Sequence, residues 1–345
     1  ALTLSEVMAI VSSAFLLGGA LLVVLGWLAD RMGRLPLFQF SLLGSSFLVA
    51  LISIASGVAT LTALRGASIA VGGLSYPITG AIITEEMPAR LRGLFMGLLQ
   101  IGYPLGWALA SLWSMWLLTE YGWRQLFWVG LVSLPMVWVV RRYLREPPRS
   151  VVARSTESPP RFSDLFATGV RERAITLFIA QFLFVWAYAA SIFLFPSFLR
   201  EVRALDAFNF SLLIGAGNAI GVLGYVLAAW IGERVWTRRN TVVLWTLLGA
   251  LLFQVLVWGP TSFGQILLVY ALMSMFFYGS AAVKFAYLAE VFPTRIRALA
   301  MACCGSLAVT LGSAAGPYTV SLAIESWGWQ LGYATLVGVP LALSG

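Results

Sequence analysis

The sequence predicts an all-α membrane protein built from two homologous helical halves, and three observations carry that prediction. The composition is 60% hydrophobic and 10% charged, with mean hydropathy +0.90, whereas soluble domains carry roughly 25% charged residues. The apolar runs are about 18 to 27 residues long, which is what an α-helix needs to cross roughly 30 Å of hydrocarbon, and none alternates like a barrel strand. Finally, the charged stretch 85–93, Glu-Glu-Met-Pro-Ala-Arg-Leu-Arg-Gly, returns at 290–298 as Glu-Val-Phe-Pro-Thr-Arg-Ile-Arg-Ala. Glu85 and Glu290, Pro88 and Pro293, Arg90 and Arg295, and Arg92 and Arg297 are each 205 residues apart. Such a repeat between long apolar runs marks a duplicated helical half.

The elements follow in order. A first span covers about 6–28 and stops at the charged turn Gly26-Trp27-Leu28-Ala29-Asp30-Arg31-Met32-Gly33-Arg34. A second follows Pro36 to Gly57. After a polar break at Thr60, a third covers 61–84 and carries Arg65, Gly72-Gly73, Ser75, Tyr76, Pro77 and Thr79. Beyond the first hinge, a fourth span (93–118) holds Gly102 and Gly106, a spacing that predicts close approach of a neighbouring helix. The fifth runs through Pro135 to Val140, completing an N-terminal bundle over 1–140. Residues 141–173 hold eight arginines and four prolines, which predicts a basic linker drawn to an anionic leaflet. Six further runs, at 174–199, 208–232, 241–258, 263–289, 298–323 and 330 onward, make a C-terminal bundle over 174–345.

Other landmarks keep the same register. Asp30-Arg31 lies 203 residues before Glu233-Arg234, Gly122-Trp123 lies 206 before Gly328-Trp329, and Pro135 lies 205 before Pro340. The run at 174–199, moved back by 205, falls ahead of residue 1. The register therefore predicts a fragment of two pseudo-symmetric six-helix bundles, lacking the first helix and part of the last.

Charge sets the orientation. The hinges, the linker and the turns at Arg31 and Arg234 hold 17 arginines, and the opposite loops hold Arg124, Arg200 and Arg203. The positive-inside bias puts the hinges and linker in the cytoplasm. The net charge of +8 thus reads as topology, not as affinity for nucleic acid. The chain has no histidine, and its two cysteines, Cys303 and Cys304, are adjacent; that excludes a Cys/His metal cluster and argues against a disulfide framework. Nothing in this pattern suits an enzyme.

Residues 26–34, Gly-x-Leu-Ala-Asp-Arg-x-Gly-Arg, resemble the loop signature of the major facilitator superfamily. Arg65 with Gly72-Gly73 resembles its fourth-helix motif, with Ile69 and Val71 standing where glycines are often found. The two hinges and Gly122-Trp123-Arg124 are similar to those of the bacterial metabolite/proton symporters, including the sialate and aromatic-acid carriers. Ser75 stands before Tyr76 where that branch commonly has an acid. The resemblance implies the major facilitator fold and a monomeric, multi-pass carrier in the bacterial cytoplasmic membrane. It would move a small organic acid or sugar acid by alternating access, with protons as coupling ion and no cofactor. It also implies a gating role for Gly26, Asp30, Arg31, Gly33, Arg34, Glu85, Arg90, Arg92, Glu233, Arg234, Glu290, Arg295 and Arg297, with Asp30 at the N-terminus of the helix starting near Ala298. The plainer reading is that these charges mark topology and cap helices. A proton-coupled exporter of drugs or metabolites, or a solute sensor on the same scaffold, are the alternatives.

Within the spans only Arg65 and Lys284 are charged. An ion at membrane depth costs roughly 2.5 to 3.5 kcal/mol on insertion scales, so each is a candidate site residue. Lys284 is six residues from the second hinge, so snorkelling to the interface competes with facing an anionic substrate. All 14 carboxylates fall in loops or near helix ends, and the resemblance puts coupling acids in a helix before residue 1. Tyr76, Gln100, Tyr103, Gln181, Asn218 and Tyr278 join Arg65 and Lys284 as cavity candidates; Thr79, Trp186, Tyr188, Tyr225 and Tyr287 are further polar or aromatic residues in the spans. Such groups hold a small polar solute by a few hydrogen bonds and ring faces, and the same groups also serve as interhelical contacts.

Overall fold

The computed structural model describes residues 2–32, 34–75, 78, 79, 82, 83, 87, 88, 91–143, 165–167, 169–292, 296 and 300–345, with main chain only at 23, 24, 26–32, 34, 92, 93, 119, 289 and 302. Helices α1 (Leu4–Met32), α2 (Arg34–Leu51), α3 (Val58–Gly73), α4 (Arg92–Gln100) and α5 (Gly102–Glu120) come first, with a 3-10 turn at Ile52–Ile54. Next are α6 (Trp123–Leu126), a 3-10 stretch at Phe127–Ser133 and α7 (Leu134–Tyr143). The remainder comprises α8 (Arg171–Glu201), α9 (Ala207–Arg234), α10 (Arg238–Trp258), α11 (Phe263–Met273), α12 (Ser280–Val291), α13 (Ala308–Trp327) and α14 (Trp329–Leu343). Two π-helical turns, Ser274–Tyr278 and Met301–Leu307, interrupt this series. Among the described residues nine helical segments are long and apolar enough to span a membrane, and Val58–Gly73 and Trp329–Leu343 are two shorter apolar helices. Together they occupy the eleven runs seen in the sequence.

The chain divides into two compact units, one of Ala1–Ala9, Gly93–Trp116 and Pro160–Gly345, the other of Ile10–Arg92 and Leu117–Pro159. The division by sequence repeat leaves 93–116 with the N-terminal bundle, whereas packing groups it with the helices beyond 160. The cause is local: a Cβ on Gly97 would stand 2.5 Å from that of Ala229, and one on Gly215 would stand 2.8 Å from Leu112.

In the first unit α8 is apolar on every side, with charge confined to Arg171, Glu172 and Arg173 at one end and Arg200 and Glu201 at the other. A helix of that kind belongs inside a bundle. It meets α13 through Gly312 and Gly316: a Cβ at Gly312 would lie 2.9 Å from the Phe182 carbonyl, and one at Gly316 would run into that of Trp186. The glycine spacing permits this kind of approach at Gly102 and Gly106 too, where no described atom lies within 4 Å of a Cβ at either position. Three helix starts carry ordinary caps. Asp206 accepts from Asn209 N–H (3.2 Å), Thr237 from Asn240 N–H (3.3 Å) and Thr3 from Glu6 N–H (3.2 Å), while Glu6 accepts from Thr3 N–H (2.8 Å) in a capping box. Arg203, in the loop after α8, donates to the Val257 carbonyl (3.0 Å) at the end of α10 and lies over Phe198. Desolvation lowers its pKa from the usual arginine value, yet a guanidinium stays charged.

In the second unit the residues that stand in place of the resembled family's glycines are matched by glycines opposite. A Cβ on Gly18 would lie 2.7 Å from Ile69 Cγ2, and one on Gly44 would lie 2.8 Å from Val71 Cγ1. Leu17 likewise packs over Gly66, and Leu22 over Gly73. Space is conserved in the helix pair, with bulk moved from one partner to the other. Gly18→Val should therefore lower the thermal unfolding midpoint in detergent, by an overpacking cost of about 1–3 kcal/mol. Combining it with Ile69→Ala should recover most of the loss, and additive losses in the double mutant would refute the pairing.

The duplication extends to backbone conformation. Gly122 opens α6 at φ 81°, ψ 174°, and Gly328 opens α14 at φ 83°, ψ 165°. That corner of conformational space is essentially open to glycine alone, so each half marks the same turn with the same residue. Alanine at either position should destabilise the protein by roughly 1–3 kcal/mol, measured by chemical or thermal unfolding. If either substitution were neutral, the turn would not require its glycine.

Candidate functional site

The interior of the first unit is an aromatic cluster threaded by hydroxyls. Along α8, Phe184 and Tyr188 are one turn apart and both meet Phe277 edge-on, at 5.7 and 6.2 Å between ring centres, while Tyr188 meets Tyr278 at 4.9 Å. Edge-to-face rings at these separations attract through their quadrupoles. The Tyr278 hydroxyl shares a hydrogen bond with Ser191 Oγ (3.2 Å), and Tyr333 donates to the Ser191 carbonyl (2.7 Å). One layer on, Tyr270 stacks on Phe195 at 4.4 Å and accepts from Asn218 Nδ2 (2.8 Å), whose second proton goes to the Ile214 carbonyl (2.9 Å). Helix α5 faces this cluster with Trp107, edge-on to Phe193 at 5.8 Å, and carries Tyr103, which is 50% exposed. Buried Gln100 ends α4, and half-buried Gln181 precedes Tyr188 by two turns on α8.

The π-turn at Ser274–Tyr278 fixes this layout. Gly279 N–H reaches back five residues to the Ser274 carbonyl (3.3 Å), and the Met275 carbonyl fills the space where Gly224 or Gly279 would otherwise carry a Cβ. The turn brings Ser274 against Gly221 and Tyr270 against Gly217 on α9. Insertions of this kind within a helix occur frequently at functional sites.

Lys284, on α12, is buried, 8% exposed. Its Nζ donates to the Ser344 carbonyl (3.1 Å) and Oγ (2.9 Å) and lies 4.0 Å from the centre of the Phe184 ring. The side chain is thus turned inward and does not snorkel to the interface. Three partners tie it to α8 and the end of α14, and they outweigh the short route to the hinge. Arg65 is half-buried at the eighth position of α3.

The hinge end of the same unit gathers charge. Arg238 Nη2 lies 2.9 Å from Glu290 Oε1 and 3.9 Å from Glu233 Oε1. A small cleft between Glu233 and Arg238 is otherwise lined by Ala229, Gly232, Ala282, Val283 and Ala286. Of the residues singled out in the sequence, Glu233 and Glu290 are brought together, but by Arg238; Arg234 is exposed at the end of α9. The repeat held the clue, since Arg34 moved forward by 203 to 206 residues falls at 237–240.

Gly33, Tyr76, Glu85, Arg90, Arg295 and Arg297 lie outside the described residues, and Gly26, Asp30, Arg31, Arg34 and Arg92 are described by helical main chain only. Gln100, Tyr103, Gln181, Asn218, Tyr278 and Lys284 all belong to the first unit. Tyr270, Tyr333 and Ser191 were missed. Their pattern is that of ordinary apolar helix interiors, and only the three-dimensional packing makes them one network.

Comparison with known proteins gives the family. Residues 1–241 match the Major Facilitator Superfamily. The chain is 26% identical to the cis,cis-muconate transport protein of Acinetobacter baylyi, over 90% of this chain and 76% of that protein. It is also 26% identical to the niacin transporter NiaP of the same organism, over 93% and 79%. With the inner membrane metabolite transport protein YgcS of Escherichia coli the identity is 25%, over 92% and 76%. Among solved structures, its fold is like that of a bacterial homologue of the human lysosomal transporter Spinster, in an inward-facing, unoccupied conformation. There the TM-score is 0.65 and the identity 16%, over 99% of this chain and 86% of that one. These bacterial relatives and the apolar spans make it a multi-pass protein of the bacterial inner membrane. A family match that begins at residue 1 and takes in both the charged turn at 26–34 and the first hinge leaves one assignment: this transporter belongs to the major facilitator superfamily.

Proposed function

We propose that the protein carries a small organic acid across the cytoplasmic membrane together with a proton, by alternating access. Muconic acid and niacin are unsaturated or aromatic carboxylic acids, and the relatives named for them support that cargo class. The observation that carries the reading is the interior of the first unit. It offers the rings of Tyr188 and Trp107, the hydroxyls of Tyr188 and Ser191 and the amide of Gln181, and the described spans hold no carboxylate away from a helix end. A planar anion meets attraction in such surroundings. A lipophilic cation meets none from a carboxylate, which disfavours the drug-export alternative.

Counterflow in proteoliposomes of the full chain tests this directly. Nicotinate and cis,cis-muconate should exchange, and an inward proton gradient of one pH unit should drive about tenfold accumulation for one proton per solute. Extrusion of lipophilic cations in place of acid exchange would replace this reading with export.

We also assign the motif charges to the gate. Asp30 is assigned by its place in the charged turn at 26–34, and Arg238 ties Glu233 to Glu290 at the hinge end. Surface pairs of this kind contribute about 0–1 kcal/mol to stability, so a gating role must show in rate. Asp30→Asn and Arg238→Gln should each slow net transport severalfold while expression and unfolding midpoint stay close to wild type. Normal transport by either variant would leave that residue only the topological role.

A further inference from the structure

Lys284 is the chain's one lysine, and there is no histidine. The other cation in the spans is Arg65, and of the two only an amine is able to give up its proton; a guanidinium stays charged. Among the described residues Lys284 makes no ion pair, and the carboxylates nearest along the fold, Glu233 and Glu290, are held by Arg238 at the hinge end. Glu290 is six residues further along the helix, about 9 Å at 1.5 Å per residue.

The elements around Lys284 present neutral groups. Helix α8 presents Phe184 and, a turn on, Tyr188; α9 carries Tyr225 and the π-turn carries Tyr278; the 301–307 segment carries Cys303 and Cys304. The charges of α9 and α10 on this side, Glu233, Arg234, Arg238 and Arg239, are at the helix ends by the hinge. The Nζ partners are also suited to both protonation states. Ser344 Oγ donates to the Leu341 carbonyl (2.8 Å), so it faces Nζ as an acceptor beside the Ser344 carbonyl. A neutral amine keeps both hydrogen bonds. An ammonium adds attraction to the Phe184 ring face, which offsets part of the cost of a buried charge.

We propose that Lys284 carries the coupling proton, a step that rests on the symport reading above. A proton taken from water on one side of the membrane joins the Nζ lone pair, turning –NH2 into –NH3+. The same group returns a proton to water on the other side, and no other bond changes. This gives the carrier a titrating group in spans that hold no carboxylate away from a helix end among the described residues.

The test uses the full chain in proteoliposomes with nicotinate and cis,cis-muconate as probes. Lys284→Gln and Lys284→Arg should still exchange the probes, slowed by no more than about tenfold. Accumulation under an inward proton gradient should fall from about tenfold per pH unit to the equilibrium ratio of one. Either variant accumulating like wild type would overturn this inference and leave the symport reading standing. A wild type that exchanges probes but ignores the gradient would overturn both. A cargo-free readout separates coupling from packing: the difference in unfolding midpoint between wild type and Lys284→Gln should change with pH across the range in which the protein stays folded. A constant difference would make Lys284 a packing residue and end the proposal.

Discussion

In hydrocarbon, two helices gain nothing by hiding apolar side chains from lipid, so their association rests on close contact, and glycines allow the closest contact of all. Gly312 and Gly316 bring α13 against the backbone of α8, and Gly217, Gly221 and Gly224 bring α9 against the Tyr270–Met275 stretch. These approaches set the distances inside the first unit. With the backbones this close, the space between them admits ring faces at 4.4 to 6 Å and direct hydroxyl contacts, such as Tyr278 with Ser191. The polar interior is therefore a consequence of where side chains are missing.

The π-turn is the second consequence. A helix that gains one residue in a turn rotates everything after it by about 100°. The Met275 carbonyl at this turn needs room, and Gly224 and Gly279 supply it from two directions. The rotation decides which face of α12 turns inward, hence that Lys284 reaches Phe184 and Ser344 while Ala282 and Val283 line the hinge-side cleft. An energetically costly placement of an ammonium thus follows from backbone packing one to two turns away.

This explains what the sequence disclosed and what it did not. Span positions follow from composition over some twenty residues, a strong signal, and the eleven runs reappear as helices. The Gly-Trp turns were legible because two copies carry the same pair, and the equal backbone angles at Gly122 and Gly328 show why glycine is needed there. Side-chain direction was less legible. A helical wheel drawn through 263–291 loses its phase at the π-turn, and the one sequence trace of that turn, Gly279, is among 33 glycines. Glycine spacing suggested a helix contact at Gly102 and Gly106, where the described structure has open space; the pattern permits close approach and does not require it. Arg238 is hidden in the repeat because its motif copy is offset by a residue from the register of Glu233 and Arg234.

Ile69 and Val71 show why a motif read on one helix is incomplete. The resembled fourth-helix pattern often has glycine at these positions, and by that measure this chain departs from it. The quantity that packing constrains is the summed size of two facing side chains, and here Gly18 and Gly44 restore the sum. A glycine motif is thus better understood as a property of a helix pair. On that view a β-branched residue in place of glycine is evidence of lost contact only when its partner is also large. Gly18 opposite Ile69 and Gly44 opposite Val71 meet the opposite condition, so α3 keeps its close neighbours by a reversed division of bulk.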